Sequence, residues 1–397
     1  MIRPILNRNV GRLYAKLELL FFNFLAGILF LALVVIKLIT GKKIVFCEFF
    51  SSRIGHMACE LEIFLRRYKQ GGFFNSNNTI YVGFCLHFPI GNRQLLKMYG
   101  RHLFIVTNKL FAKLLNTWIK KTGFYTVLSF YGNEYYENNQ LKPVLSFTDE
   151  EKKQGRKLLS EMGIGEADWF VCFQARDPKY LGPGSEYHDY RDCDIENYLK
   201  AAEYIADRGG YAIRIGSVVD KPLSKGRHPN IIDYAVDFRS DFMDIFLLAN
   251  CKFLLGSTSG PYNVSSVFGV PVACANFIPI SFVPYKKSDL FVPKKIFSKA
   301  QGRHLTFNEI QDSELMDGYQ SEVYKKLGVE VIENSSDEIL EMAKEINMRL
   351  DGNYVPYVSN EEEYQKKFDA IFKLRRNGCP TKIGTYFLIK NRDMLVA

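Results

Sequence analysis

The run Gly256-Ser257-Thr258-Ser259-Gly260 falls directly after the apolar stretch CKFLL and directly before PYNVSSVFG. Small residues let a backbone come close to a phosphate, three hydroxyls can donate to it, and Pro261 suits the first turn of a helix with free N–H groups. The same run also reads as an ordinary strand-to-helix turn with Ser259 as its N-cap and no ligand. Two arginines add weight to the phosphate reading. Arg176 follows WFVCFQA, Arg214 lies in YAIRIGS, and guanidinium groups offer paired donors to a diphosphate. Arg176 could instead pair with Asp177, and Arg214 could be a structural ion pair, since a charge inside an apolar strand must be satisfied. Asp177, Gly216, Ser217, Asp233, Tyr234 and Asn276 stand near the same strand ends and complete the candidate diphosphate set.

A second group follows the apolar run KKIVFCEF at residues 42–49: Arg53, Gly55, His56 and Glu60. An imidazole near its unperturbed pKa can take a proton from a hydroxyl, so His56 is a candidate general base. Glu60, one helical turn on, could orient His56 or act as the base itself. His56 as a mere capping or packing residue stays open beside this. Asp192-Cys193-Asp194 has the spacing of a metal-binding D-x-D, but it leads into a helix, and capping by Asp194 is the better reading. No metal site and no cofactor are expected. Neither a Walker phosphate loop nor G-x-G-x-x-G occurs, which removes the common NTPase and dehydrogenase readings.

These residues need elements to hold them. KKIVFCEF, TIYVGF and HLFIV read as buried strands, the helix after the first stopping at Gly71–Gly72, and FTDEEKKQGRKLLSEMGI at 147–164 reads as a charged amphipathic helix. From DWFVCF onward, strands alternate with helices through YAIRIGS, NIIDYAV, CKFLLG and VPVACANF. Such alternation predicts a parallel sheet covered by helices, with ligands at the carboxyl ends of the strands. The signal weakens after Ile280 through YKKSDLFVPKKIFSK, and helices such as 336–352 finish the chain. The expected segments are an anchor at 1–41, an N-terminal domain at 42–150, a second domain at 151–310 and a helical extension at 311–397.

The anchor is expected from Leu19 to Ile36, LLFFNFLAGILFLALVVI, which reaches the length of a membrane helix and lacks a cleavage site after it. A helix lying in the interface is the alternative. Either way, removal of residues 1–40 should leave the rest folded. With 397 residues, two α/β domains follow. The net charge of +9 calls for an anionic partner, for which a phospholipid surface or a phosphate-bearing substrate serves as well as nucleic acid. No nucleic-acid-binding signature is present. Eight cysteines without close pairs, several in apolar runs, read as reduced thiols of a cytosolic body.

The pieces SSRIGHMACELEIFL, GNRQLLKMYGR, VCFQARDPKYL, YRDCDIENYLKAA, IRIGS, IIDYA and SDFMDIFLLANCKFLLGSTSG, spread over roughly residues 44–310, resemble a family of bacterial glycosyltransferases found with surface-polysaccharide genes. One piece departs from the family's H-A-R-D, with Gln174 before Ala175-Arg176-Asp177. The resemblance implies an α/β, GT-B-like fold: two Rossmann-like doubly wound domains facing a cleft, with the N-terminal membrane helix in front. It implies neither the sugar nor the stereochemistry; the residues and the anchor together give the expectation of sugar transfer from a nucleotide diphosphate sugar, without metal, to a saccharide or lipid-linked acceptor at the cytosolic side of the inner membrane. A GT-B-like transferase of pyruvyl or phosphoryl groups and a non-enzymatic membrane scaffold are the alternatives. The scaffold requires Arg176 and Arg214 to be buried in ion pairs, with no open pocket between the domains.

Overall fold

The computed structural model describes residues 2–70, 78–129, 134–180, 186–224, 227–372 and 381–396. The helix stop expected at Gly71–Gly72 lies outside them. The chain divides into two compact units, Met1–Gly132 and Asn133–Ala397.

Unit 1 opens with helix α1 (Ile2–Thr40), followed by β1 (Lys43–Phe49), α2 (Ile54–Lys69), β2 (Thr79–Cys85), α3 (Arg93–Tyr99), β3 (Phe104–Val106), α4 (Lys109–Leu115), the short turn Trp118–Lys121 and β4 (Tyr125–Val127). The strands form one parallel sheet in the order β3-β2-β1-β4, with Lys43 opposite Thr79 and Phe49 opposite Cys85. Alternate residues of a strand point to opposite faces. Val45, Cys47 and Phe49 are buried on the face that takes α2. Phe46 and Phe84 point the other way, into a core shared with Ala112 and Leu115 of α4, Ile119, Phe124, and Ala26 and Leu33 of α1.

That core corrects the expected architecture. The apolar leader does not stand apart in front of the domains: one side of it packs on unit 1. The Phe30 ring packs 5.3 Å from Trp118 and 5.6 Å from Phe124, and the Trp118 indole donates to the Asn23 carbonyl at 3.4 Å. Leu13–Thr40 is long and apolar enough to cross a membrane by length and composition, and most of it is not buried in the unit. Its outward face, including Phe24, Leu31 and Leu38, is exposed. Because α1 is apolar on every side, no polar face marked which side packs on the domain.

Unit 2, like unit 1, holds a parallel sheet wound both ways from its centre, and it adds a small antiparallel sheet. Its strands β5 (Phe170–Phe173), β6 (Tyr211–Arg214), β7 (Ile231–Ile232), β8 (Leu254–Gly256), β9 (Val272–Phe277), β10 (Leu290–Pro293), β11 (Lys295–Ser298), β12 (Arg303–His304), β13 (Val329–Ile332) and β14 (Lys382–Ile383) make two sheets. One is parallel and seven-stranded, in the order β14-β10-β9-β8-β5-β6-β7; the other is a three-stranded antiparallel sheet, β12-β11-β13. The chain runs outward from β5 to β7, then returns to β8 on the other side of β5. Between β5 and β8 the winding therefore reverses, which is where parallel sheets of this kind open for ligands. The stretch 285–299, where the sequence signal weakens, supplies β10 and β11.

Thr148 caps the helix Asp149–Glu161 through a capping box with Glu151, its hydroxyl accepting the Glu151 amide at 3.2 Å. The seven described cysteines are buried free thiols. Burial pushes Cys47 up to about 12, so that thiol stays protonated and unreactive.

Candidate functional site

In unit 1, β1 ends at Phe49 and the chain turns through Phe50-Ser51-Ser52-Arg53 into α2. His56 and Glu60 lie one turn apart on that helix. The His56 Nδ1 is 2.9 Å from Glu60 Oε1, and Glu60 Oε2 accepts the Phe50 amide at 2.7 Å. A carboxylate held from both sides orients the imidazole and favours the proton on Nδ1, which leaves Nε2 as the basic nitrogen. The His56 side chain is 31% exposed and that of Glu60 8%, so the imidazole is the member that a substrate could reach. Arg53 stands with its guanidinium 5.4 Å from the Phe50 ring.

One residue of this cluster escaped the sequence reading. His87 stacks on Phe50 with ring centres 4.0 Å apart, and it is tied to the β1 turn through Ser51: the Ser51 hydroxyl donates to the His87 carbonyl at 2.5 Å and accepts the His87 amide at 3.2 Å. Its signal was available, because His87 follows TIYVGFC at the carboxyl end of β2, the same place on the sheet that singled out His56.

In unit 2 the candidate residues separate into two groups. Arg176 and Arg214 lie at the ends of β5 and β6, each with a carboxylate. Arg176 Nε donates to Asp192 at 2.9 Å, and Arg214 Nη1 donates to Asp233 at 3.2 Å and to the Lys221 carbonyl at 2.7 Å. Beside them opens a cavity of about 530 Å³, lined by Asp177, Arg214, Asp192, Lys221, Lys294 and Glu333 among others. Asp177 also braces its rim, accepting the amides of Lys179 at 2.9 Å and Asp220 at 2.8 Å. Gly216 allows a tight turn here, since a Cβ would meet Val219 at 2.8 Å. Ser217 is exposed.

The second group does not line this cavity. Ser257 is fully buried, and its hydroxyl accepts the Arg176 amide at 3.0 Å. The Thr258 hydroxyl accepts the Ile278 amide at 2.9 Å. The Ser259 hydroxyl is engaged by the Gln174 side chain at 2.6 Å. Gly260 opens the helix Gly260–Phe268. Tyr234 is buried, its hydroxyl donating to Asp244 at 2.8 Å. Asn276 sits at φ 52° and exchanges two hydrogen bonds with Asn334, at 2.6 and 2.7 Å. These polar groups hold the sheet's carboxyl edge together, and a ligand would have to displace their partners to reach them.

Two residues with no sequence signal stand out. Arg191 donates through Nε to the Thr258 carbonyl at 3.0 Å, anchoring the 186–195 segment over the serine turn. Lys294 is 4% exposed, and its Nζ donates to the Asp192 carbonyl at 2.6 Å; burial lowers its pKa, with nearby acids opposing. Asp192 is raised, chiefly by burial, with Arg176 pulling it back. Asp194 caps the turn Ile195–Tyr198, accepting the Glu196 amide at 3.0 Å, as its position after Cys193 suggested. Among the described residues no group of three or more metal-ligating side chains converges.

No protein-family model matches the chain, and no curated protein matches it. Among solved structures, it is similar to a glycosyl transferase family 9 protein from Veillonella parvula DSM 2008, at 13% identity over 77% of this chain and 97% of that one, with a TM-score of 0.44. It is also similar to the ADP-heptose LPS heptosyltransferase II of E. coli, at 12% identity over 78% of this chain and 100% of that one, with a TM-score of 0.43.

Proposed function

We propose that this chain is a glycosyltransferase that moves a sugar from a nucleotide diphosphate sugar to a saccharide acceptor. The observation that carries the reading is the cavity at the carboxyl ends of β5 and β6, where Arg214, Lys221 and Lys294 offer cations to a diphosphate and surrounding carboxylates offer acceptors to sugar or ribose hydroxyls. Lys294 is well suited to the departing diphosphate, because a buried ammonium acts on developing negative charge without the screening of water. Arg176 supports it from behind through Asp192. On the acceptor side, His56 oriented by Glu60 takes the proton of the attacking hydroxyl. The scheme uses no metal. A lipid-linked acceptor in bacterial surface polysaccharide synthesis, met at the cytosolic face of the inner membrane, fits the apolar outward face of α1 and the buried free thiols.

The test is incubation of the purified full-length protein with a panel of nucleotide sugars and simple saccharide acceptors, reading free nucleoside diphosphate. Release that needs both His56 and Lys294 is the expected result. A folded protein that neither binds nor turns over any nucleotide sugar would sink the reading in favour of the membrane scaffold, which draws on the ion pairing of both Arg176 and Arg214.

A further inference from the structure

The charge of the chain is divided unequally between its units. Met1–Gly132 holds 18 of the 52 Lys and Arg but 4 of the 43 Asp and Glu, a net +14, which leaves −5 for Asn133–Ala397. The overall +9 therefore understates how basic unit 1 is. The same unit carries the outward face of α1, where Leu17, Leu20, Phe21, Phe24, Leu31 and Leu38 recur at helical spacing and are each more than half exposed. A run of apolar surface this long on a soluble domain marks an interaction site.

Charge complementarity decides what covers it. Exposed Lys109 and Lys113 of α4, and exposed Lys120 and Lys121 of the adjoining turn, are carried by two of the elements that pack directly beside α1. Lys113 pairs with Glu18 and stands 5.4 Å from the Phe22 ring, at the border of the apolar face. A second copy of this chain would bring the same positive charge against itself, whereas a bilayer with anionic headgroups would attract it. The packing also decides the orientation. Trp118 and Phe124 lie against Phe30, at the middle of the apolar run. If α1 crossed a bilayer, the lysines of this neighbouring turn would enter hydrocarbon, at a cost of roughly 2.5–3.5 kcal/mol for each charge near the centre.

We infer that unit 1 binds an anionic bilayer surface through the outward face of α1, the helix lying in the plane of one leaflet with its apolar side chains in the headgroup–acyl boundary and the flanking lysines on headgroups. A surface that joins an apolar face to flanking cations draws on apolar burial and on electrostatic attraction together. The inference rests on the membrane being a partner, as in the reading above, and adds how the chain meets it. It is independent of catalysis, because turnover on a soluble acceptor can succeed or fail whatever the vesicles show.

Flotation of the full-length chain tests it, with vesicles of phosphatidylcholine alone and of phosphatidylcholine and phosphatidylglycerol in equal parts. The chain is expected to float with the mixed vesicles, at least about tenfold more weakly with the neutral ones, and to be stripped by alkaline carbonate. The double variant Phe24→Glu/Leu31→Glu, changed only on the exposed face, should keep cooperative melting and lose the vesicles. Should that variant fail to fold, Lys120→Glu/Lys121→Glu carries the test and should weaken binding to the mixed vesicles alone. Retention after carbonate would mean a spanning helix and overturn the inference. So would equal binding to both vesicles, no binding to either, or a lipid-free dimer abolished by the double variant.

Discussion

Glu60 joins His56 to the end of β1: one carboxylate oxygen is 2.9 Å from the His56 Nδ1, and the other accepts the Phe50 amide at 2.7 Å. The pair is thus fixed to the sheet as well as to its own helix, and Glu60 acts on chemistry through the imidazole. His56→Ala should lower turnover by about 10²–10⁴-fold, the usual loss for a missing general base. Glu60→Gln should lower it less, because a neutral amide still accepts the Phe50 amide but holds the imidazole less firmly in orientation. Unchanged kcat in both variants would remove the dyad from the mechanism.

Arg176 and Arg214 should respond differently to alanine. Arg214 is buried and the Asp233 side chain is 12% exposed, and removing one partner of a fully buried pair costs roughly 3–5 kcal/mol. Arg214→Ala should therefore lower the melting temperature markedly. Arg176→Ala leaves behind a carboxylate that burial already holds above its usual range, so it should melt close to the parent yet weaken nucleotide diphosphate binding through the displaced Asp192, by less than the roughly 10- to 150-fold that loss of a direct contact costs. Calorimetric titration that finds undiminished binding in a folded Arg176→Ala protein would separate this arginine from the donor.

Asp289 is fully buried, and burial raises its pKa to about 6 although the amides of Val272, Tyr285 and Lys286 donate to it. The unfolded chain gives up this proton near 3.8. Between about pH 4 and 6 the folded state holds the proton that the unfolded state has lost, so stability falls as pH rises through that window and is lowest above it. Asp289→Asn should flatten this slope by about 3 kcal/mol. Denaturant melts across the window give the comparison, with Asp244 contributing a slope of the same sign.

Removing residues 1–41 should now unfold unit 1. The deletion takes Ala26 and Leu33 from the core and uncovers Phe46 and Phe84, a loss well beyond the few kcal/mol of a single large-to-small change. Unit 2 should keep its own melting transition. A truncated chain whose two units both melt cooperatively would restore the detachable leader.

Gly155 lies in the helix Asp149–Glu161 against Phe246, where an added Cβ would come within 2.1 Å of the ring. Alanine there should destabilise by about 1–3 kcal/mol despite its better helix propensity. A melting temperature equal to the parent's would show that the ring moves aside freely.

The sequence alone determined the α/β alternation, because period-2 and period-3.6 apolar patterns and turn residues are local properties of the chain. It also placed His56, Arg176 and Arg214 at strand ends by the same local logic. What it left open was every relationship that depends on which element lies beside which. Phe30 meets Trp118 across 88 positions, and only that contact turns an apolar leader into a layer of a domain. Ser257 has the side chain of a phosphate ligand, but the fold turns it inward onto the Arg176 amide. Lys294 lies in a basic stretch with weak periodicity, and only the pairing of β10 beside β9 carries it to the cavity wall. Local patterning specifies which face of an element is apolar; the partner that covers that face is chosen by packing among distant segments, and at Phe30, Ser257 and Lys294 that packing set the role of the side chain.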